Sequence, residues 1–326
     1  MPTAASPRQL AEDARFRQAL VLAERGRGKT GDHPLVGAVV ERDGEVLGEG
    51  WYEYDGVRHA ESIALEEAGE AARGATLYVT LEPCSHHGRT PPCADAVVAA
   101  GVARVVVGAR DPNPLVDGRG LERLRAAGIE VELLDDLDAR RQNEAWRVWK
   151  SLGRPFVTYK AAVTLDGRGA MPGRRWVSGE ESRRRVHELR AVSDAVAVGM
   201  GTVRADAPRL DARDVEAVAQ PRRLAFGRGP LPEESELELR TGPIEEELRA
   251  LAADGVQSLL LEGGPTLATA FLTAGFVDKL LLFVAPILAG EGPQMLGDLD
   301  TPLELLHLRT ERSGEDVLLE AYLREP

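Results

Sequence analysis

The sequence predicts two consecutive α/β domains, and three observations carry that expectation. The chain has 326 residues, and at about 100 to 200 residues per domain it divides most simply in two, each half long enough to bury its own core. Stretches with helical spacing alternate with short β-rich runs in both halves, the pattern of a layered α/β fold. Hydrophobic residues make up 43% and charged residues 29%, too apolar for a disordered chain and too interrupted by charge for a membrane protein.

In the first half, residues 9–25 have helical spacing, and 36–40 with 45–50 read as a strand pair. A helix is expected over 59–72 and a strand over 76–81, which leads into a loop holding both cysteines. A helix over 93–100, a buried strand over 102–108, a helix over 120–127 and a strand over 129–133 close the set. Residues 137–150 form one amphipathic helix whose Trp146 and Trp149 share a face, with domain packing as their expected role. A short linker over 151–155 puts the domains at 1–150 and 151–326. The second half opens with a strand over 156–163 and continues with helices over 180–191 and 245–253. Its later strands are expected at 195–198, 258–261 and 280–284, and the Pro- and Glu-rich stretch 229–243 reads as a surface connection.

Net charge is −13, spread evenly: 19 basic against 25 acidic residues through Lys150, then 21 against 28. Neither half is a basic platform, so no nucleic-acid partner is expected. An acidic protein still binds a phosphorylated small molecule through a few local donors. Lysines are scarce enough to be informative, being only Lys29, Lys150, Lys160 and Lys279. The longest apolar run, 280–290, is too short for a bilayer span, so no membrane partner is expected. Arg8, Glu12, Asp13, Arg15, Arg17 and Glu24 interrupt any leader-like apolar segment, and a cytoplasmic protein is expected. Two cysteines, Cys84 and Cys93, exclude a disulfide scaffold and raise the question of a metal or catalytic role.

His59-Ala60-Glu61, followed by Pro83-Cys84 and Pro92-Cys93, answers that question. One imidazole and two thiolates are good zinc ligands, and three protein ligands leave a fourth tetrahedral position for water. Zinc lowers that water's pKa towards neutrality, and the hydroxide can attack an electrophilic ring carbon. Glu61 would take the proton and pass it to the departing amine. His59 and Glu61 open one helix, and Pro91 and Pro92 prepare the N-terminus of another at Cys93, where a thiolate is favoured. A closed zinc knot would need His86 or His87 as fourth ligand and leaves Glu61 without a task.

His-x-Glu with Pro-Cys and a second Cys is similar to the signature of the zinc nucleobase deaminases. The text from Leu81 to Cys93, with Asp111-Pro112-Asn113-Pro114 and Gly118-Arg119-Gly120, resembles the pyrimidine deaminases of riboflavin biosynthesis. That resemblance implies a cytidine-deaminase-like three-layer α/β/α domain acting on a phosphoribosylamino-diaminopyrimidinone. It further implies that His86, Arg89, Thr90 and Asn113 hold the ribose phosphate. The family usually has Pro-Asn-Pro ahead of the first motif, where this chain has Asp32-His33-Pro34, so His33 takes the asparagine's place.

The second half resembles the reductase to which these deaminases are usually fused, which implies a dihydrofolate-reductase-like α/β fold. The matching text is Lys160 to Gly167, Trp176 to Gly179, Leu189 to Ala191, Gly199 to Thr202 and Glu262 to Leu267. Gly263-Gly264-Pro265-Thr266 lies between a strand and a helix, where glycines admit a phosphate to the backbone and the helix N-terminus favours it; a plain tight turn is the alternative. By the resemblance, NADPH meets Ala162, Trp176, Thr202, Asp206, Gly264, Pro265, Thr266 and Leu267. The ribosyl phosphate meets Lys160, Arg190, Leu210, Arg213 and Glu262. Lys160 is expected at the end of its strand, with an edge-strand lysine as the alternative. The implied reaction delivers hydride to the opened ribose at C1. Asp211 departs from the family text by adding negative charge where a phosphate is expected, and Gly227-Arg228 replaces its usual Asp-Ser. The expectation is a bifunctional zinc deaminase and NADPH reductase, with a homodimer suggested by the apolar 280–288 region. A deaminase whose second domain only dimerises or holds substrate is the alternative.

Overall fold

Each half of the alternation builds its own sheet. The computed structural model describes residues 7–53, 57–88 and 90–326, and the chain divides into two compact units, Met1–Ser151 and Leu152–Pro326. In the first unit the order is α1 (Pro7–Glu24), β1 (Gly37–Arg42), β2 (Glu45–Trp51), α2 (Ala60–Ala68), β3 (Thr76–Leu81), α3 (Cys93–Ala100), β4 (Arg104–Ala109), α4 (Arg119–Ala126), β5 (Glu130–Leu133), α5 (Leu137–Gln142) and α6 (Glu144–Leu152). The sheet order is β2-β1-β3-β4-β5, antiparallel among β2, β1 and β3 and parallel from β3 to β5. Two buried clusters flank this sheet. Ala64, Leu77, Val97, Val105 and Leu124 lie in one, and Phe16, Leu20, Tyr78 and Val106 in the other.

Close backbone approach fixes α2 on this sheet. A Cβ at Gly48 would come within 2.1 Å of the Ala64 carbonyl, and one at Gly50 within 2.2 Å of that of Ala60. Only glycine lets the helix lie that near β2.

The single helix expected over 137–150 is two, because Asn143 interrupts it. Its buried amide donates to the Leu35 carbonyl and accepts from the Leu35 N–H, both at 2.8 Å, so the side chain serves a distant segment. α6 then continues to Leu152, leaving a shorter connection than the expected 151–155.

The second unit comprises β6 (Phe156–Thr164), α7 (Glu180–Ala191), β7 (Ala195–Gly199), α8 (Met200–Asp206), β8 (Arg222–Phe226), β9 (Glu238–Arg240), α9 (Ile244–Ala253), β10 (Ser258–Leu261), α10 (Pro265–Thr273), β11 (Lys279–Ala285), β12 (Leu306–Ser313) and β13 (Asp316–Tyr322). Its sheet runs β12-β13-β11-β6-β10-β7-β8-β9, parallel from β11 to β9 with an antiparallel β12-β13 pair at the far side. Tyr159, Leu224, Leu248, Leu259 and Phe271 fill one core cluster.

Three expectations change here. Lys160 lies within β6, a strand flanked by β11 and β10, which removes the edge-strand alternative. The stretch 229–243 contains β9, which pairs with β8 through three residues too few to leave a pattern in a Pro- and Glu-rich text. The apolar run starting at 280 is an interior strand between β13 and β6, so its leucines serve the sheet and not an outer face; Leu288 beyond it is exposed. The edge strand β12 was not foreshadowed, because its residues are mostly exposed and alternate with charge.

Candidate functional site

In the first unit, the ends of three elements place three donors together. His59 is the N-cap of α2, Cys84 follows β3, and Cys93 opens α3. The Cys93 N–H donates to Cys84 Sγ at 3.3 Å and the Ala94 N–H to the Cys84 carbonyl at 3.1 Å, so the α3 N-terminus supports the thiolate. His59 Nδ1 lies 3.8 Å from Cys84 Sγ and 3.1 Å from Cys93 Sγ, and the three ligand atoms fall within 4.8 Å of one another. A tetrahedral zinc, with ligand bonds of about 2.0 to 2.3 Å, brings its donors to such separations. Among the described residues no fourth His, Cys or carboxylate joins the group, which removes the closed-knot alternative for His86 and His87.

The electrostatics suit a metal and a proton carrier. The Cys93 thiol's hydrogen bond is the largest influence drawing Cys84 down to about 4, with help from His59. Cys93 is pushed up in turn by its hydrogen bond with Cys84 and by burial. Glu61 is 3% exposed, and burial raises its carboxyl to about 7, against the opposing pull of His59.

Glu82, just before Pro83, anchors this corner. Its carboxylate accepts from the Gly118 and Gly120 N–H groups, each at 3.0 Å, and thereby caps α4.

These groups line a cavity of about 320 Å³. His33, His86, Thr90 and Asn113 all border it as expected. Thr90 shares its hydroxyl with His59 Nε2 at 3.3 Å, the contact that orients a ligating imidazole. Asn113 makes the turn contacts of its residue type, accepting from the Leu115 N–H at 3.1 Å. Arg89 lies outside the described residues. Trp146 departs from its expected packing role: it lines the cavity, and its Nε1 donates to Asp111 Oδ1 at 3.0 Å. Asp111, Trp146 and Lys150 are cavity residues missed by sequence reasoning, and the rarity of lysine was the signal available for the last.

The second unit gathers a charge cluster at the C-terminal ends of its parallel strands. Glu262 follows β10, with its side chain 9% exposed. It accepts from Arg190 Nε at 2.6 Å and Nη2 at 3.0 Å and from Lys160 Nζ at 3.3 Å. Burial opposes ionisation, yet Lys160 and Arg190 overcome it and hold the carboxyl down at about 2. Arg190 Nη1 also donates to the Asp211 carbonyl at 3.1 Å, bringing the segment of Leu210 and Arg213 alongside. Leu210 is buried with φ +56°, a left-handed conformation that is costly for a leucine.

Asp211 engages Arg213 and, at 3.0 Å, Arg209. The added negative charge is thus already paired, and so is the expected phosphate ligand Arg213. Gly264 caps α10, with Pro265 in its first turn, and a Cβ on Gly264 would sit 3.6 Å from Thr202 Oγ1. Leu267 packs beside Gly199 and Gly263. This gathering of backbone N–H groups suits a dinucleotide phosphate. Ala162 packs in the core with Leu281 and Phe283, Trp176 is exposed against Arg175 and Arg183, and Asp206 ends α8 at the surface.

Comparisons with known proteins agree with both halves. Residues 11–109 match the family model described as the cytidine and deoxycytidylate deaminase zinc-binding region, and 155–319 match the RibD C-terminal domain. The riboflavin biosynthesis protein RibD of Aquifex aeolicus is 40% identical, covering 93% of this chain and 96% of that protein. Its Escherichia coli counterpart is 41% identical, over 84% of this chain and 87% of that one. Acinetobacter baumannii RibD superposes with a TM-score of 0.84 at 36% identity, covering 97% of this chain and 99% of the other. A Thermotoga maritima diaminohydroxyphosphoribosylaminopyrimidine deaminase/5-amino-6-(5-phosphoribosylamino)uracil reductase gives 0.83 at 34%, with the same coverage. No described helix is long and apolar enough to cross a membrane.

Proposed function

This chain belongs to the RibD family of riboflavin biosynthesis, bifunctional enzymes that deaminate with zinc and reduce with NADPH, and from that premise we propose which residues carry each step. Deamination falls to residues 1–150 and reduction to 151–326. The first substrate is 2,5-diamino-6-(5-phosphoribosylamino)pyrimidin-4(3H)-one, which becomes 5-amino-6-(5-phosphoribosylamino)uracil.

His59, Cys84 and Cys93 would hold the zinc, which when bound activates water for attack on the amino-bearing ring carbon. Glu61 accepts the proton of that water and returns it to the leaving amine, which departs as ammonia. The observation that carries this assignment is a buried carboxyl near neutrality bordering the same cavity as two of the three donors. His33, His86, Arg89, Thr90 and Asn113 bind the substrate.

In the second half, NADPH supplies a hydride for C1 of the ring-opened ribose. Gly264, Pro265, Thr266 and Leu267 cradle its phosphates, with Ala162, Trp176, Thr202 and Asp206 as further contacts. Lys160, Arg190, Leu210, Arg213 and Glu262 surround the sugar phosphate. The intact Lys160–Glu262–Arg190 cluster favours a working reductase over a domain kept for assembly. The protein is cytoplasmic and homodimeric in this reading, and the exposed leucines of the β12 edge, Leu306 and Leu308, are apolar surface available to a second copy.

Mass spectrometry of the product tests both halves. Exchange of an amino group for oxygen without NADPH, followed by a gain of two hydrogens with it, is the expected result. Exchange alone would remove the reductase assignment, and an unchanged substrate would remove both.

A further inference from the structure

We propose that Lys150, clamped against Trp146 and Trp149, is a cation of the deaminase cavity that receives the substrate's phosphate monoester. The inference rests on the deaminase reading above and adds a residue to it. α6 carries Lys150 into the lining of the cavity that holds His59, Glu61 and Cys84. Its Nζ stands 4.5 Å from the Trp146 ring centroid and 3.7 Å from that of Trp149, so two indole faces fix the ammonium by cation–π attraction. Trp146 is itself fixed by its hydrogen bond to buried Asp111.

What distinguishes this lysine is its lack of a carboxylate. Lys160 pairs with Glu262 at 3.3 Å and Lys279 with Glu320 at 3.1 Å, whereas Lys150 enters no ion pair among the described residues of a chain with net charge −13. Two acids stand nearby without closing on it. The carboxylate of Asp111 is occupied by Trp146 Nε1 and the Asn113 N–H, and Asp32 is largely exposed beside His33. Burial lowers the pKa of the ammonium, a penalty that Asp32 and Asp111 only partly offset and that a bound dianion would relieve. A phosphate suits the site better than a neutral group, because one ammonium held by aromatic faces offers charge and not a shape-reading donor set.

The test compares Lys150→Met, Lys150→Gln and Lys150→Arg on the phosphorylated substrate and on its dephosphorylated counterpart, by ammonia release. Removing the charge is expected to lower kcat/KM for the phosphorylated substrate about 10- to 100-fold more than for the other, mainly through KM, and Lys150→Arg to stay near wild type. Equal losses on both substrates, or none on either, would overturn the proposal. Titration with ribose 5-phosphate, followed by tryptophan fluorescence, separates this inference from the one beneath it. If the wild type deaminates neither substrate, the deaminase reading fails; a fluorescence change in wild type that is lost in Lys150→Met still sustains the cation site. No change in wild type, or the same change in the variant, would sink it.

Discussion

Glu61 and Glu262 are both carboxylates in secluded positions of α/β units, one opening a helix and the other following a strand. Burial acts on both in the same direction. Glu61 has only a histidine to oppose it and rises to about 7, whereas Glu262 faces Lys160 and Arg190 and is held near 2. Partner charge therefore decides whether a secluded carboxyl becomes a proton carrier or a fixed anion. The first half uses its glutamate for chemistry, and the second uses its glutamate to organise two cations.

The largest effect that would break this comparison is on catalysis. Glu61→Gln should retain zinc by metal analysis and lose roughly 10²- to 10⁴-fold of ammonia release, while reduction of the deaminated intermediate continues. Undiminished ammonia release would show that Glu61 is not the proton carrier. Glu262→Gln should do the reverse, sparing ammonia release while costing the second unit about 3 to 5 kcal/mol, because it leaves Lys160 and Arg190 without their anion. Denaturant unfolding measures this, and a change below about 1 kcal/mol would show that the cations find other partners.

The pH dependence of Glu262 has a definite sign. Its folded pKa, about 2, lies below the ordinary 4.5, so its contribution is fully present above pH 4.5 and is lost as the pH falls towards 2. The gap between wild type and Glu262→Gln should shrink over that window by about 3 kcal/mol, and a constant gap would contradict the depressed pKa. Trp146→Phe removes one donor from buried Asp111 and should destabilise the first unit by about 1 to 3 kcal/mol, measured by the same unfolding. Asp211→Asn is the mildest change. It breaks partly exposed pairs worth less than about 1 kcal/mol, and by freeing Arg213 it should lower the reductase KM for its phosphorylated substrate several-fold. An unchanged KM would mean that Arg213 does not reach the phosphate.

Legibility in the sequence followed the range of the interactions. The strand Thr76–Leu81 and the helices Cys93–Ala100 and Glu180–Ala191 have the bounds their local spacing predicts. Asn143 broke a predicted helix because its amide is spent on Leu35, more than a hundred residues away. β9 escaped notice because its strand character comes from β8 beside it.

The sequence alone determined two α/β halves and the identity of the zinc donors, since His-x-Glu and paired Pro-Cys carry their chemistry in residue type and short spacing. Only the tertiary structure decided that Glu61 is secluded and Glu262 is ion-paired, that Asp211 is already neutralised, and that Trp146 and Lys150 border the deaminase cavity. Ionisation and exposure depend on which distant groups arrive beside a side chain, and local residue pattern does not specify those neighbours.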